Sequence, residues 1–144
     1  MNPLDTSIIE ARLKAEVPAL DTVAGVVEYS QIKDLSSFRP GTAYVVLASE
    51  RNPAAGTPQP RKATPAQATF GVVVVAQNYR DQSGKAALDD ISSIVGAVRQ
   101  ALNGWMPQGW SPIVWLQGDA LDSDASRVLW IDVFTTTHVL RGNT

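Results

Sequence analysis

Four valines in a row, Val72–Val75, sit inside the run Gln67–Tyr79 (QATFGVVVVAQNY), and no other stretch narrows the possible folds as far. β-Branched side chains are stiff at χ1 and crowd a helix, whereas they pack well on a pleated surface. An unbroken apolar run, without alternation, belongs to a strand covered on both faces. The chain of 144 residues can supply that cover as one domain, because a chain of this size buries roughly two-thirds of the surface its unfolded form exposes.

The partners of this strand can be read on either side of it. Thr42–Ala48 (TAYVVLA) follows a Pro40-Gly41 turn signal and reads as a strand that pairs with 67–79 as an antiparallel hairpin. Val23–Tyr29 is a weaker strand, with Gly25 marking a bulge or close backbone approach. Before it, Ser7 and Glu10 have capping-box spacing for a helix over 7–16, which Pro18 ends. After the valine strand, Asp81–Asn103 is the strongest helix. Leu88, Ile91, Ile94, Val95, Val98 and Leu102 share one side of it, and Asp89, Asp90, Ser93 and Gln100 share the other. Asn103-Gly104 and then Pro107 stop it.

Ser111–Gln117 reads as a short strand, Gly118–Ser126 as a turn bearing three acids, and Arg127–Leu140 as a long final strand. The face of that strand with Leu129, Ile131, Val133, Thr135 and Thr137 is non-ionic and is expected to meet the helix. The face with Val128, Trp130, Asp132, Phe134, Thr136 and His138 is amphipathic and suits a partner surface. The order α-β-β-β-α-β-β predicts an α+β fold, with a mainly antiparallel sheet and two helices packed on one face. It would be a single domain, 1–144, carrying a long Pro/Ala-rich loop at 49–65. Pro53, Pro58, Pro60 and Pro65 keep that loop from being a helix or a central strand. The loop is expected to be mobile in a free subunit.

Little in the chain offers chemistry. Without cysteine there is no thiolate metal site, disulfide or Cys nucleophile. His138, the only histidine, shares a strand face with Asp132, but about 20 Å away, so the two form no dyad. His138 is therefore expected at the surface, near the strand end. Asp122-x-Asp124 lacks the remainder of a calcium loop, and neither phosphate-cradling glycine motif occurs. No catalytic, metal or cofactor site is expected. A net charge of −2 leaves no basic surplus for nucleic acid or an anionic membrane. The longest apolar run, Val72–Ala76, is far short of a membrane span, and the first ten residues show no signal peptide. Trp105, Trp110, Trp115 and Trp130 are expected mainly to cap the open edge of the core.

A set of segments taken in order adds a resemblance. They are Ala43–Leu47 before the Pro/Ala-rich loop, the strand end Asn78–Asp81, Ala101–Pro107 (ALNGWMP), and the final strand with Trp130 and Phe134-Thr135-Thr136. Together they resemble the tail terminator proteins of long-tailed bacteriophages and prophages. The resemblance implies a small α+β protomer without catalytic residues that forms a hexameric ring. The ring would cap the head-proximal end of the tail tube, stop its polymerisation and join it to the head–neck connector. Expected partners are further copies of the chain, the tail tube protein and the connector, in the host cytoplasm during assembly and then in the virion neck. A closed ring joins two different patches. The basic loop residues Arg51, Arg61 and Lys62 and the acidic residues Asp119, Asp122 and Asp124 are the candidate pair.

Overall fold

The computed structural model describes residues 2–26, 37–56, 63–77, 85–124 and 127–141, without side-chain placement for 85–90 and 141. The described elements are α1 (Thr6–Glu16), β1 (Thr22–Gly25), β2 (Thr42–Arg51), β3 (Ala63–Gln77), α2 (Lys85–Leu102), β4 (Val114–Ser123) and β5 (Arg127–Arg141). Their order is the one expected. The five strands form one sheet in the order β1-β2-β3-β5-β4. Only β1 and β2 run parallel; the other pairs are antiparallel, including the expected β2–β3 hairpin.

The valine strand lies at the centre and is buried on both faces, as its composition requires. Val72 and Val74 join the helix-side core with Phe70, Phe134, Ile9, Leu13, Val98 and Leu102. Val73 and Val75 belong to a second cluster with Phe38, Tyr44 and Leu129. Phe70 and Phe134 are cross-strand partners whose rings stack at 5.5 Å. Ile91, Val95, Val98 and Leu102 carry α2 onto the sheet, and Ser93 and Gln100 face water. Leu88, Asp89 and Asp90 lie outside the described side chains. Gly104 ends this helix with φ 85°, and Gly41 turns the chain into β2 with φ 84°.

Several expectations are corrected. The cap of α1 is Asp5, not Ser7: the Asp5 carboxylate accepts from the Ser7 backbone N–H at 3.0 Å and from its hydroxyl at 2.6 Å. An acid just before the first turn satisfies the free N–H groups directly and leaves Ser7 inside the helix.

The proline-rich connection is shorter than 49–65, since β2 runs to Arg51 and β3 begins at Ala63. Pro65 thus sits in a central strand. Pairing with β2 ends at Arg51↔Gln67, while Pro65 still pairs with Val139, so it needs a ladder partner on one side only. Asn52 shapes the chain beyond β2, its side chain accepting from the Ala54 N–H at 2.9 Å. Residues 57–62 lie outside the described residues, as does the second half of the expected first strand.

The acidic stretch after Gly118 is not a turn. β4 continues to Ser123, paired along β5 with shifts between Trp115 and Gln117 and between Ala120 and Asp122. Each shift drops one residue from the ladder, Leu116 and then Leu121, so the strand accommodates a sequence that lacks regular alternation.

The faces of β5 are also exchanged. Val128, Trp130 and Phe134 pack with the helices, and Leu129 and Ile131 belong to the opposite cluster. The apparently less apolar face is buried because its one acid, Asp132, meets a cation from α2.

Candidate functional site

Asp132 is 1% exposed and fully engaged. Arg99 on α2 donates from Nε to Oδ2 at 2.7 Å and from Nη2 to Oδ1 at 2.9 Å. The Trp130 indole N–H donates to Oδ1 at 2.9 Å. Hydrogen bonding to Asp132 holds the Arg99 guanidinium above its already high ordinary pKa. A bidentate guanidinium–carboxylate pair with a third donor is how a strand carries a charge into a helix–sheet interface. The cluster needs Gly118 on the neighbouring strand: a Cβ there would stand 2.5 Å from Asp132 Oδ1 and 2.8 Å from both Arg99 Nη2 and Trp130. Arg99 was not singled out from the sequence. No local signal marked it, because the sequence assigned Asp132 to the strand face turned away from the helix.

Arg99 also lies over the ring of Trp115, 4.6 Å from its centroid. The Trp115 backbone N–H donates to Asn103 Oδ1 at 3.0 Å. The remaining tryptophans match the core-capping expectation more closely, since Trp105, Trp110 and Trp130 all pack on the helix-side core. Arg12 of α1 covers Trp105 at 5.0 Å, and its Nε donates to the Ala101 carbonyl at 3.0 Å in the last turn of α2. That contact satisfies a carbonyl with no partner inside the helix.

His138 is not at the surface. It is buried, stacked on Trp110 with ring centroids 3.7 Å apart. Its Nε2 has no hydrogen-bond partner and lies 3.5 Å from Glu50 Oε1. Glu50 reaches this face because β2 shifts register between Leu47 and Ser49, which reverses the alternation. The side chains of His138 and Glu50 meet above Ala66 and Ala68 of β3, their small ladder partners.

The candidate interface residues separate into two places. Arg51 is exposed at the end of β2. Arg61 and Lys62 lie outside the described residues. Asp119 and Asp122 are exposed on β4, opposite Ile131 and Leu129. Asp119 Oδ2 accepts from Gln117 Nε2 at 3.2 Å. Asp122 Oδ1 accepts from the Ser123 N–H at 2.8 Å, and Asp124 Oδ1 from the Arg127 N–H at 2.7 Å. Through the ladder, Arg51 stands level with Gln67 of β3, and Asp122 with Val75. That stretch of strand is roughly 26 Å long at about 3.3 Å per residue, well beyond the Debye length of about 8 Å in physiological salt. Arg51 and Asp122 of one chain therefore do not neutralise each other.

β4 itself is open. It is an edge strand, and Val114, Trp115, Leu116 and Leu121 are exposed along it. Among the described residues no group of three or more His, Asp or Glu side chains is placed to hold a metal ion, and no helix is long and apolar enough to cross a membrane. What the described residues offer is exposed charge and exposed apolar side chains on β4.

The family model described as "Phage tail terminator protein" matches residues 1–144. Among solved structures, a chain from "Virion of native gene transfer agent (GTA) particle" is similar, with a TM-score of 0.54 and 20% sequence identity, over 93% of this chain and 92% of that one. At that identity the likeness concerns the fold. A comparison with curated protein sequences finds no significant match.

Proposed function

The chain belongs to the phage tail terminator family, and from that premise we propose that it is a non-catalytic assembly subunit that closes the tail tube. In this reading, copies of the chain form a hexameric ring on the head-proximal end of the tube. The ring stops further addition of tube protein and presents its other side to the head–neck connector. Assembly takes place in the host cytoplasm, and the ring stays in the neck of the particle.

The observation that carries this reading is the match to the family model along the whole chain. The charge arrangement supports it. Arg51, with Arg61 and Lys62 in the connection beyond it, would meet Asp119, Asp122 and Asp124 of the neighbouring subunit, a contact of two unlike patches that closes into a ring. The likeness to a virion component supports a place in a particle of this kind.

The test is direct. Purified tail tube protein is allowed to polymerise with and without this chain, and tube lengths and ends are imaged by electron microscopy. The expected result is shorter tubes with a six-fold ring on one end only, and light scattering of the mixture should show the subunit in multiples of six. Tubes of unchanged length with bare ends would refute termination. Incorporation along the tube wall would make the chain a tube subunit instead.

A further inference from the structure

His138 is 7% exposed, and its Nε2 is enclosed with no hydrogen-bond partner. Buried polar side-chain atoms are nearly always paired, so each exception calls for a cause. Glu50 stands beside it, with Oε1 3.5 Å from Nε2. That gap is too long for a charge-assisted hydrogen bond between the two, which closes to about 2.7–2.9 Å. Packing sets the gap. The imidazole lies on the Trp110 ring, with centroids 3.7 Å apart, and the register shift in β2 fixes where Glu50 arrives. Ala66 and Ala68, the ladder partners of His138 and Glu50, leave the space above β3 open. Both residues line a cavity of about 290 Å³, together with Asn2, Asn52, Thr64 and Leu140.

The separation discriminates between occupants. A hydroxyl or amine about 2.8 Å from each atom would subtend only about 77° between them, far below the roughly 109° that tetrahedral bonding favours. A zinc ion binds imidazole nitrogen at about 2.0–2.1 Å and carboxylate oxygen at about 2.0–2.2 Å, so between these two atoms it would subtend about 115°, close to tetrahedral. We propose that His138 Nε2 and Glu50 Oε1 form a two-point clip for a divalent transition-metal ion of the zinc class, joining β2 to β5 across β3, with the remaining coordination positions open to the cavity. Imidazole selects zinc, nickel or copper over calcium and magnesium, which are satisfied by oxygen ligands. Two protein ligands are fewer than the three of a catalytic zinc centre or the four of a structural one. The chain therefore folds without the ion, and occupancy follows the metal concentration around it. An ion held by the folded chain alone stabilises it by mass action. The clip goes beyond the tail reading and does not depend on it.

The experiment titrates zinc chloride into the full-length untagged chain and into its Glu50→Gln and His138→Gln variants. His138 is the only histidine and the chain has no cysteine, so the imidazole resonances in a nitrogen-15 NMR spectrum report this one site. Micromolar zinc should shift the Nε2 resonance and raise the melting temperature as its concentration rises, and magnesium chloride should do neither. Glu50→Gln keeps the side-chain shape and should melt like wild type without metal, yet bind zinc at least about tenfold more weakly. His138→Gln should lose the zinc-dependent rise in melting temperature. An Nε2 resonance that zinc does not move would overturn the inference, as would a Glu50→Gln variant that binds as tightly as wild type. A response only at millimolar zinc would mark general affinity for surface carboxylates and would also overturn it. Should His138→Gln fail to fold, the wild-type resonance and the Glu50→Gln variant decide the matter between them.

Discussion

A buried carboxylate is tolerated only where its partners are built around it, and Asp132 meets that condition through Arg99, Trp130 and the missing side chain at Gly118. Arg99→Ala leaves Asp132 with one donor in an apolar setting. The expected loss of stability is about 2–3 kcal/mol, below the 3–5 kcal/mol of fully enclosed pairs because the Arg99 side is open to water. Chemical denaturation would measure it. Asp132→Asn in the Arg99→Ala background should recover part of the loss, since no unpaired charge is then buried. Gly118→Ala meets Asp132 Oδ1 at 2.5 Å, and so strong an overlap on a restrained carboxylate should cost about 1–3 kcal/mol. If the alanine variant melts like wild type, Asp132 is not held in place by its three bonds.

Among the elements, α2 has a clear inside and outside, and the strands are shaped by their irregularities. Val95→Asp places an unpaired charge under the helix and should cost several kcal/mol, enough to unfold a domain of ordinary marginal stability. Ser93→Ala, on the exposed side, should stay within about 0.5 kcal/mol of wild type. Circular dichroism melts of the two variants decide the orientation, and equal tolerance would contradict it. The register shift between Leu47 and Ser49 turns Glu50 toward His138, and those in β4 display Leu116 and Leu121. A shift of this kind reassigns every side chain beyond it to the other face, so alternation counted from the middle of a strand misplaces its ends.

For the whole molecule, the governing feature among the described residues is a sheet with two helices on one face and β4 at its edge, with Asp119 and Asp122 exposed on that edge and Arg51 exposed at the far end of β2. A protein with such a surface should associate through unlike patches, and its association should weaken as salt rises, since exposed charges are screened. Raising ionic strength should therefore increase the concentration needed for ring formation without lowering the melting temperature. An assembly indifferent to salt would not rest on these charges.

The fold class was legible in the amino acids alone, because burial on both faces, helical periodicity and turn chemistry are local signals. Val72–Val75 could only be a central strand, Ile91–Leu102 only a helix with one apolar side, and Asn103-Gly104 only a stop. The ordered segments also pointed to the family. What needed the tertiary structure was everything set by a residue distant in sequence. Asp132 made one face of β5 look like a partner surface until Arg99, 33 residues earlier, neutralised it. His138 looked like a surface residue until Trp110 stacked on it. Pro65 seemed barred from a central strand until β2 ended short of it. In each case residue type states a requirement, whether for charge compensation, cover or a ladder partner, and only the packed chain determines whether a distant residue meets it.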